Sequence, residues 1–256
     1  MASHPIYQFY AELDDFKPKI WRRFQVLGNI SVARLGYIIQ VLFEMTASHL
    51  MAFEVPKDEN FRAYYKKRHP DMETDKLVSI FGDGEKDTIL RYEIMDEEFE
   101  PFEDPHRNVF VADAVETRLH RAVSESGEKI YFNYDFGDDW WVSLKLEEVL
   151  EDKGLSGSEL PRVLEGAGFG IVEDVGGTGG LTDLVKAFKK KKGADYEQYS
   201  EWLGIADFDI NNFDIDDMNF RLKKIPRIYK QCYEDRLTPT QRSIDLIERK
   251  YMEKKE

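Results

Sequence analysis

Four acidic residues in two short motifs have the clearest capacity for chemistry in this sequence. Asp135 and Asp138 belong to the run Tyr-Asp-Phe-Gly-Asp-Asp-Trp at 134–140, and Glu173 and Asp174 precede a glycine-rich run. Carboxylates of this kind can bind a divalent metal ion or a cationic ligand. They can equally accept hydrogen bonds from backbone N–H groups and close a turn, which the residue types of the first motif favour. A metal-dependent hydrolase is therefore an alternative that requires the two motifs to meet.

The first motif lies in the middle of residues 129–150, which alternate in polarity on either side of it. In the second half, Trp140 and Val142 share one face, as expected of a half-buried strand. Between the two halves, Gly137 can adopt a positive φ and the aspartates can bond backbone N–H groups. The pattern predicts a β-hairpin at the centre of the domain.

The rest of the chain alternates between strand-like and helix-like segments. Together they predict an α+β fold: a mixed, mostly antiparallel sheet with helices packed on one side, plus a C-terminal helical segment. We expect one domain over 1–235 and a charged helix within 236–256. Further strands are predicted at 6–13, 20–27, 50–55 and 88–94, helices at 32–45, 112–123, 181–192, 196–202 and 214–234 and from Thr238-Pro239, and loops or linkers at 56–85, 96–104 and 154–180.

Charge and composition narrow the class of protein. The chain has 36 lysine and arginine residues against 50 aspartate and glutamate residues, a formal net charge of -14. Such an acidic protein is poorly suited to non-specific binding of nucleic acid. The single cysteine, Cys232, cannot form an internal disulfide, and no apolar run is long enough for a membrane helix. We expect a cytoplasmic protein with no membrane contact, no cofactor and a partner that the sequence does not identify.

Five short motifs follow one another along the chain. They are Ile20-Trp21-Arg22-Arg23 with Val26, Ile39-Gln40 with His49-Leu50 and Phe53, the 134–140 run, Glu173-Asp174 with Gly176-Gly177, and a closing segment containing Trp202-Leu203-Gly204, Phe208-Asp209, Phe213-Asp214 and Asn219. In this order they resemble the plasmid pRiA4b ORF-3-like family over roughly residues 6–233, and the resemblance implies an association with plasmids and insertion sequences. Some relatives carry a resolvase-like label, but this chain has no serine nucleophile among arginines and no basic helix that could read DNA.

Three departures from this resemblance predict an altered pocket. Where the family pattern often has two histidines and a cysteine, this chain has Met51, Val142 and Val175. A lone buried polar group costs about 1–3 kcal/mol, so a joint change to apolar residues indicates that the three side chains meet. We predict a pocket without a metal or catalytic residue, in which His49 is a hydrogen-bonded structural residue. The candidate pocket residues are His49, Met51, Tyr134, Asp135, Asp138, Trp140, Val142, Glu173, Asp174 and Val175.

The sequence thus favours a non-catalytic binding or interaction protein linked to mobile genetic elements. The metal-dependent hydrolase using Asp135, Asp138, Glu173 and Asp174 is the first alternative. A nucleic-acid-binding protein is the second, and it requires Arg22, Arg23 and the lysines at 189–192 to form one positive patch.

Overall fold

The computed structural model describes residues 4–73, 76, 87–95, 104, 106–151 and 154–250. Eight strands in these residues form one sheet: β1 (Ile6–Leu13), β2 (Trp21–Leu27), β3 (Met51–Pro56), β4 (Thr88–Glu93), β5 (Asn108–Asp113), β6 (Lys129–Tyr134), β7 (Trp140–Leu150) and β8 (Arg162–Ala167). Their order is β5-β4-β3-β6-β7-β1-β2-β8. Only β4 and β5 pair in parallel, and the other neighbours are antiparallel. The predicted α+β fold with a mixed, mostly antiparallel sheet is confirmed.

Helices and alternating strands define the core. On β1, Phe9, Ala11 and Leu13 are buried and the residues between them only half-buried. α1 lies over the buried face, where Gly36 faces the side chain of Met51.

None of the helices in the described ranges has the length and apolar character to span a membrane. The helices are α1 (Val32–Leu42), α2 (Lys57–Arg68), α3 (Leu119–Ala122), α4 (Gly177–Lys190), α5 (Ala194–Leu203), α6 (Ile215–Leu222), α7 (Ile225–Tyr233) and α8 (Gln241–Ile247), with a short 3-10 turn at Gly157–Glu159.

The predicted hairpin is β6 and β7, in the middle of the sheet. Tyr134 pairs with Trp140 across the turn, and both side chains are fully buried. The turn itself differs from the prediction. The positive φ angles belong to Asp135 and Asp139, at 52° and 54°, and not to Gly137. Aspartate tolerates this region because its short side chain can bond the nearby backbone.

For two segments the predicted type of secondary structure is wrong. Residues 112–123 do not form one helix, since β5 extends to Asp113, where it pairs with β4, and only Leu119–Ala122 is helical. The supposed linker over 154–180 contains β8, an edge strand beside β2. The side chain of Asn219 covers that edge: its Oδ1 accepts from Val163 N at 2.9 Å, and its Nδ2 donates to Val163 O at 3.1 Å.

Helix boundaries were also partly wrong. Asp214 caps α6 by accepting from the backbone N–H groups of residues 216 and 217, as predicted, but the helix does not continue to 234. α7 starts afresh with Pro226 in its first turn, because proline cannot donate the N–H that a continuous helix needs. The last helix is capped by Thr240 and not by Thr238. The predicted loop at 56–85 begins with α2, and residues 74–75, 77–86, 96–103 and 105 lie outside the described residues.

Arg22 is a buried structural residue. Its side chain has no exposed surface and stacks on Phe213 at 4.1 Å. Its guanidinium donates to the backbone carbonyls of Leu42, Trp21, Ala167, Gly168 and Phe169. The condition set for the nucleic-acid alternative, a surface patch that includes Arg22, is therefore not met.

Candidate functional site

Three segments meet beside the hairpin turn. They are the loop from α1 to β3, the turn between β6 and β7, and the loop before α4. Each contributes one potential ligand of a metal ion: His49, Asp135 and Asp174. The ligand atoms of these three residues all lie within 4.8 Å of one another. Residues far apart in sequence therefore form one compact cluster.

The imidazole of His49 lies at the centre of the cluster. Its Nε2 is 3.2 Å from Asp174 Oδ1, 3.6 Å from Asp135 Oδ2 and 3.8 Å from Glu173 Oε2. Both His49 Nε2 and Glu173 Oε2 are buried and have no hydrogen-bond partner within the described part of the chain. Buried polar atoms nearly always have a partner. The sequence predicted a hydrogen-bonded structural histidine, whereas the structure places Nε2 within ion-pair distance of three carboxylates without a hydrogen bond to any of them.

Glu173 is fixed through its other oxygen. Oε1 accepts hydrogen bonds from Thr46 N at 2.6 Å, Thr46 Oγ1 at 3.0 Å and the Tyr134 hydroxyl at 2.9 Å. The Tyr134 hydroxyl in turn accepts from Ser48 N at 3.1 Å. Burial, and then the charge of Glu173, raises the pKa of Tyr134 far above its usual range. Tyr134 therefore stays protonated as a donor and holds Glu173 with Oε2 free.

The local backbone directs the two aspartates. Asp135 has a φ of 52°. Its Oδ1 accepts from Gly137 N at 3.1 Å, which leaves Oδ2 on the side of His49. Asp174 also has a positive φ, at 57°, and its side chain is 71% exposed. The hydrogen bond within the turn thus fixes the Asp135 carboxylate, whereas Asp174 lies at the side of the cluster that is open to solvent.

Asp138 does not join this cluster as the hydrolase alternative required. Its Oδ2 accepts from Gly176 N at 3.0 Å, so it joins the hairpin turn to the loop before α4. The two segments approach each other closely here: a Cβ at Gly177 would lie 2.6 Å from Asp138 O, and Gly177 has a φ of 67°. The two acidic motifs do meet, but Asp138 has a backbone-binding role there.

The three apolar residues that depart from the family pattern lie in the hydrophobic core. Met51, Val142 and Val175 are all buried within it. Met51 is the strand neighbour of Tyr134, and its sulfur accepts from Gln40 Nε2 at 2.8 Å. Val142 lies on the next strand, opposite Phe132. Whether the three side chains replace ligands of a single site stays a prediction.

The comparisons with known proteins agree with this architecture. A family model described as plasmid pRiA4b ORF-3-like protein matches residues 5–217. The chain belongs to this family. It is similar to uncharacterized protein y4hQ of Sinorhizobium fredii (strain NBRC 101917 / NGR234), with 29% identity over 198 residues, 77% of this chain and 80% of the relative.

A crystal structure shares the fold. It is that of protein of unknown function MM3350 from Methanosarcina mazei Go1, with a TM-score of 0.59 and 22% identity, covering 84% of this chain and 98% of the other. At this identity the similarity extends to the fold alone. The family assignment from motif order is thus confirmed, and the chemistry of the cluster has to be argued from its own residues.

Sequence reasoning missed the residues that hold the cluster. Thr46 and Ser48, which bind Glu173 and Tyr134, stand just before His49 in a short polar run after α1. A polar run between two apolar segments and next to a histidine was the feature of the sequence that could have indicated these residues. Its significance depends on the loop before α4 lying against it, which only the tertiary structure decides.

Proposed function

We propose that this protein binds one divalent transition-metal ion through His49, Asp135 and Asp174, with Glu173 as a further ligand or proton acceptor. The observation that carries the proposal is the position of the buried His49 Nε2, which lies within 3.8 Å of three carboxylates and has no hydrogen bond to the described residues. A cation would bind to this nitrogen and offset the mutual repulsion of the carboxylates. This proposal departs from the sequence-based expectation that the pocket holds no metal, which was drawn from the apolar residues Met51, Val142 and Val175 and stays a prediction.

The donor set indicates the class of metal. One imidazole and two or three carboxylates favour Mn²⁺, Fe²⁺, Co²⁺ or Zn²⁺. No thiolate belongs to the cluster among the described residues, and Cys232, the only cysteine of the sequence, lies on α7. A site of backbone and carboxylate oxygens alone would favour Ca²⁺ or Mg²⁺, and the central position of His49 argues against those ions.

Calorimetric titration of the apo-protein with Mn²⁺ and with Zn²⁺ tests the proposal. We expect one bound ion per chain. His49→Gln should weaken binding by at least roughly tenfold, the range seen even for residues that only orient a ligand. His106→Gln is the matched control because His106 is exposed and remote from the cluster in sequence. Equal affinity in the wild type and His49→Gln, or no binding to either ion, would refute the proposal.

A metal-dependent hydrolase is the second candidate, and the exposure of Asp174 supports it. A cluster that opens to solvent can keep a water molecule on its metal, and the metal lowers the pKa of that water. Glu173 Oε2, buried and without a hydrogen-bond partner among the described residues, could accept its proton. Asp138 plays no part in this version. The test is metal-dependent cleavage of chromogenic phosphodiesters and esters, lost in Glu173→Gln.

Metal binding without such cleavage would support the non-catalytic binding protein that the sequence favours. In that case the ion would stabilise the junction of three segments or bridge to a partner. The association with mobile genetic elements implied by the family stays an expectation on either outcome.

A further inference from the structure

A buried ionic network ties the C-terminal segment to the loop that carries His49. Glu44 and Asp217 are two carboxylates whose side chains are only 9% and 7% exposed. Arg221 binds both oxygens of Glu44, at 2.9 and 2.8 Å. One arginine therefore faces two buried carboxylates in this part of the fold.

Arg249 supplies the second positive charge. Its Nη2 is 2.8 Å from Glu44 Oε1 and 2.9 Å from Asp217 Oδ2, and its Nε donates to Asp217 Oδ2 at 3.1 Å. Arg249 follows α8, more than thirty residues beyond the end of the family match at 217. The segment that the sequence predicted as a separate charged helix is thus bound to the domain.

The network acts on the loop between α1 and β3. Glu44 is the second residue after α1 and has a φ of 63°. Tyr229 on α7 donates to Met45 O at 3.1 Å. Thr46 and Ser48 then bind the Glu173 and Tyr134 side chains, and His49 follows directly. Only four residues therefore lie between Glu44, whose carboxylate Arg249 holds, and His49, whose imidazole belongs to the proposed metal site.

We infer that Arg249 is a positioning residue for this site: it holds Glu44, and through Glu44 it holds the loop that presents His49. The inference rests on the proposed function. Removing one charge from a buried ionic network leaves the others uncompensated. Without Arg249, Arg221 alone faces the two negative charges of Glu44 and Asp217. One negative charge is then left uncompensated, and Glu44 moves toward solvent together with its loop.

Two measurements on the full chain test the inference. The first is amide hydrogen exchange of the apo-protein, read at Thr46 and Ser48. The second is titration with Mn²⁺. In Arg249→Gln we expect exchange at both amides to accelerate, and the dissociation constant of Mn²⁺ to rise, each roughly tenfold. Amides of β6 and β7 should keep their wild-type exchange, which separates loss of positioning from loss of global stability.

Conservative and control variants sharpen the result. Arg249→Lys keeps a charge that can reach one of the two carboxylates and should restore part of the affinity. Arg242→Gln alters an exposed arginine of the same helical segment and should behave as the wild type.

Wild-type exchange and Mn²⁺ affinity in Arg249→Gln would overturn the inference. So would faster exchange over the whole sheet, because that result indicates a general role in stability. A wild type that binds neither Mn²⁺ nor Zn²⁺ would instead refute the proposed function, and the exchange at Thr46 and Ser48 would still report whether Arg249 holds the loop.

Discussion

Replacing Arg22 with methionine should destabilise the fold far more than the same change at its neighbour Arg23. The two arginines are consecutive on β2 and point to opposite faces of the sheet. Arg22 is buried and donates to five backbone carbonyls. Arg23 lies at the surface, where it binds the carboxylates of Glu147 and Glu165. Methionine has a similar length in both places, so the difference isolates the guanidinium.

The structure sets the magnitudes. A net contribution of about 1 kcal/mol per hydrogen bond over the five carbonyl contacts predicts a loss of about 4–5 kcal/mol for Arg22→Met. Four of those carbonyls belong to residues distant from Arg22 in sequence: Leu42 at the end of α1 and the run 167–169, which begins at the last residue of β8. For Arg23→Met, the loss of two surface ion pairs, with Glu147 and Glu165, predicts about 0.5–2 kcal/mol.

Urea denaturation followed by far-UV circular dichroism would measure both free energies of unfolding. Arg22→Lys adds a third value: an ammonium has only three donors, so at least two carbonyls lose their bond and about 2–3 kcal/mol should be lost. Similar losses for Arg22→Met and Arg23→Met would refute the structural role given to Arg22. A loss for Arg22→Lys as small as that for Arg23→Met would show that charge alone suffices there.

Two further predictions concern the edge strand β8 and the ion pair between Arg23 and Glu147. Asn219→Ala should cost about 1–2 kcal/mol in unfolding free energy, because both Val163 backbone groups lose their partner. The hydrogen bond from Arg23 is the main cause that lowers the pKa of Glu147 from 4.5. The stabilisation that the Arg23–Glu147 pair contributes is therefore fully present above pH 4.5, and it is lost as the pH falls through the lowered pKa of Glu147. Glu147→Gln should be less stable by about 0.5–1 kcal/mol at pH 7 and equal to the wild type in strong acid, as read from denaturation midpoints.

Local patterns predicted the centre of the fold but not its edges. Alternation around residues 134–140 predicted β6 and β7, since period-two burial is decided by neighbouring residues. β8 escaped detection because a glycine-rich stretch becomes a strand only when β2 offers it a partner and Asn219 covers its other side. The break between α6 and α7 was readable in advance from Pro226, and the prediction overlooked it.

The sequence by itself determined the residue types at the site: one histidine, three acidic residues and the small turn residues beside them. It also determined the family, through the order of the motifs. Only the tertiary structure decided which carboxylates face His49 and that Asp138 instead binds Gly176 N. The physical reason is that a strand or helix pattern records burial along the chain, whereas a polar cluster depends on which loops the completed sheet brings together. Arg249 shows this most clearly. Its partners Glu44 and Asp217 are buried by parts of the chain that are distant in sequence, so no local pattern could predict these contacts.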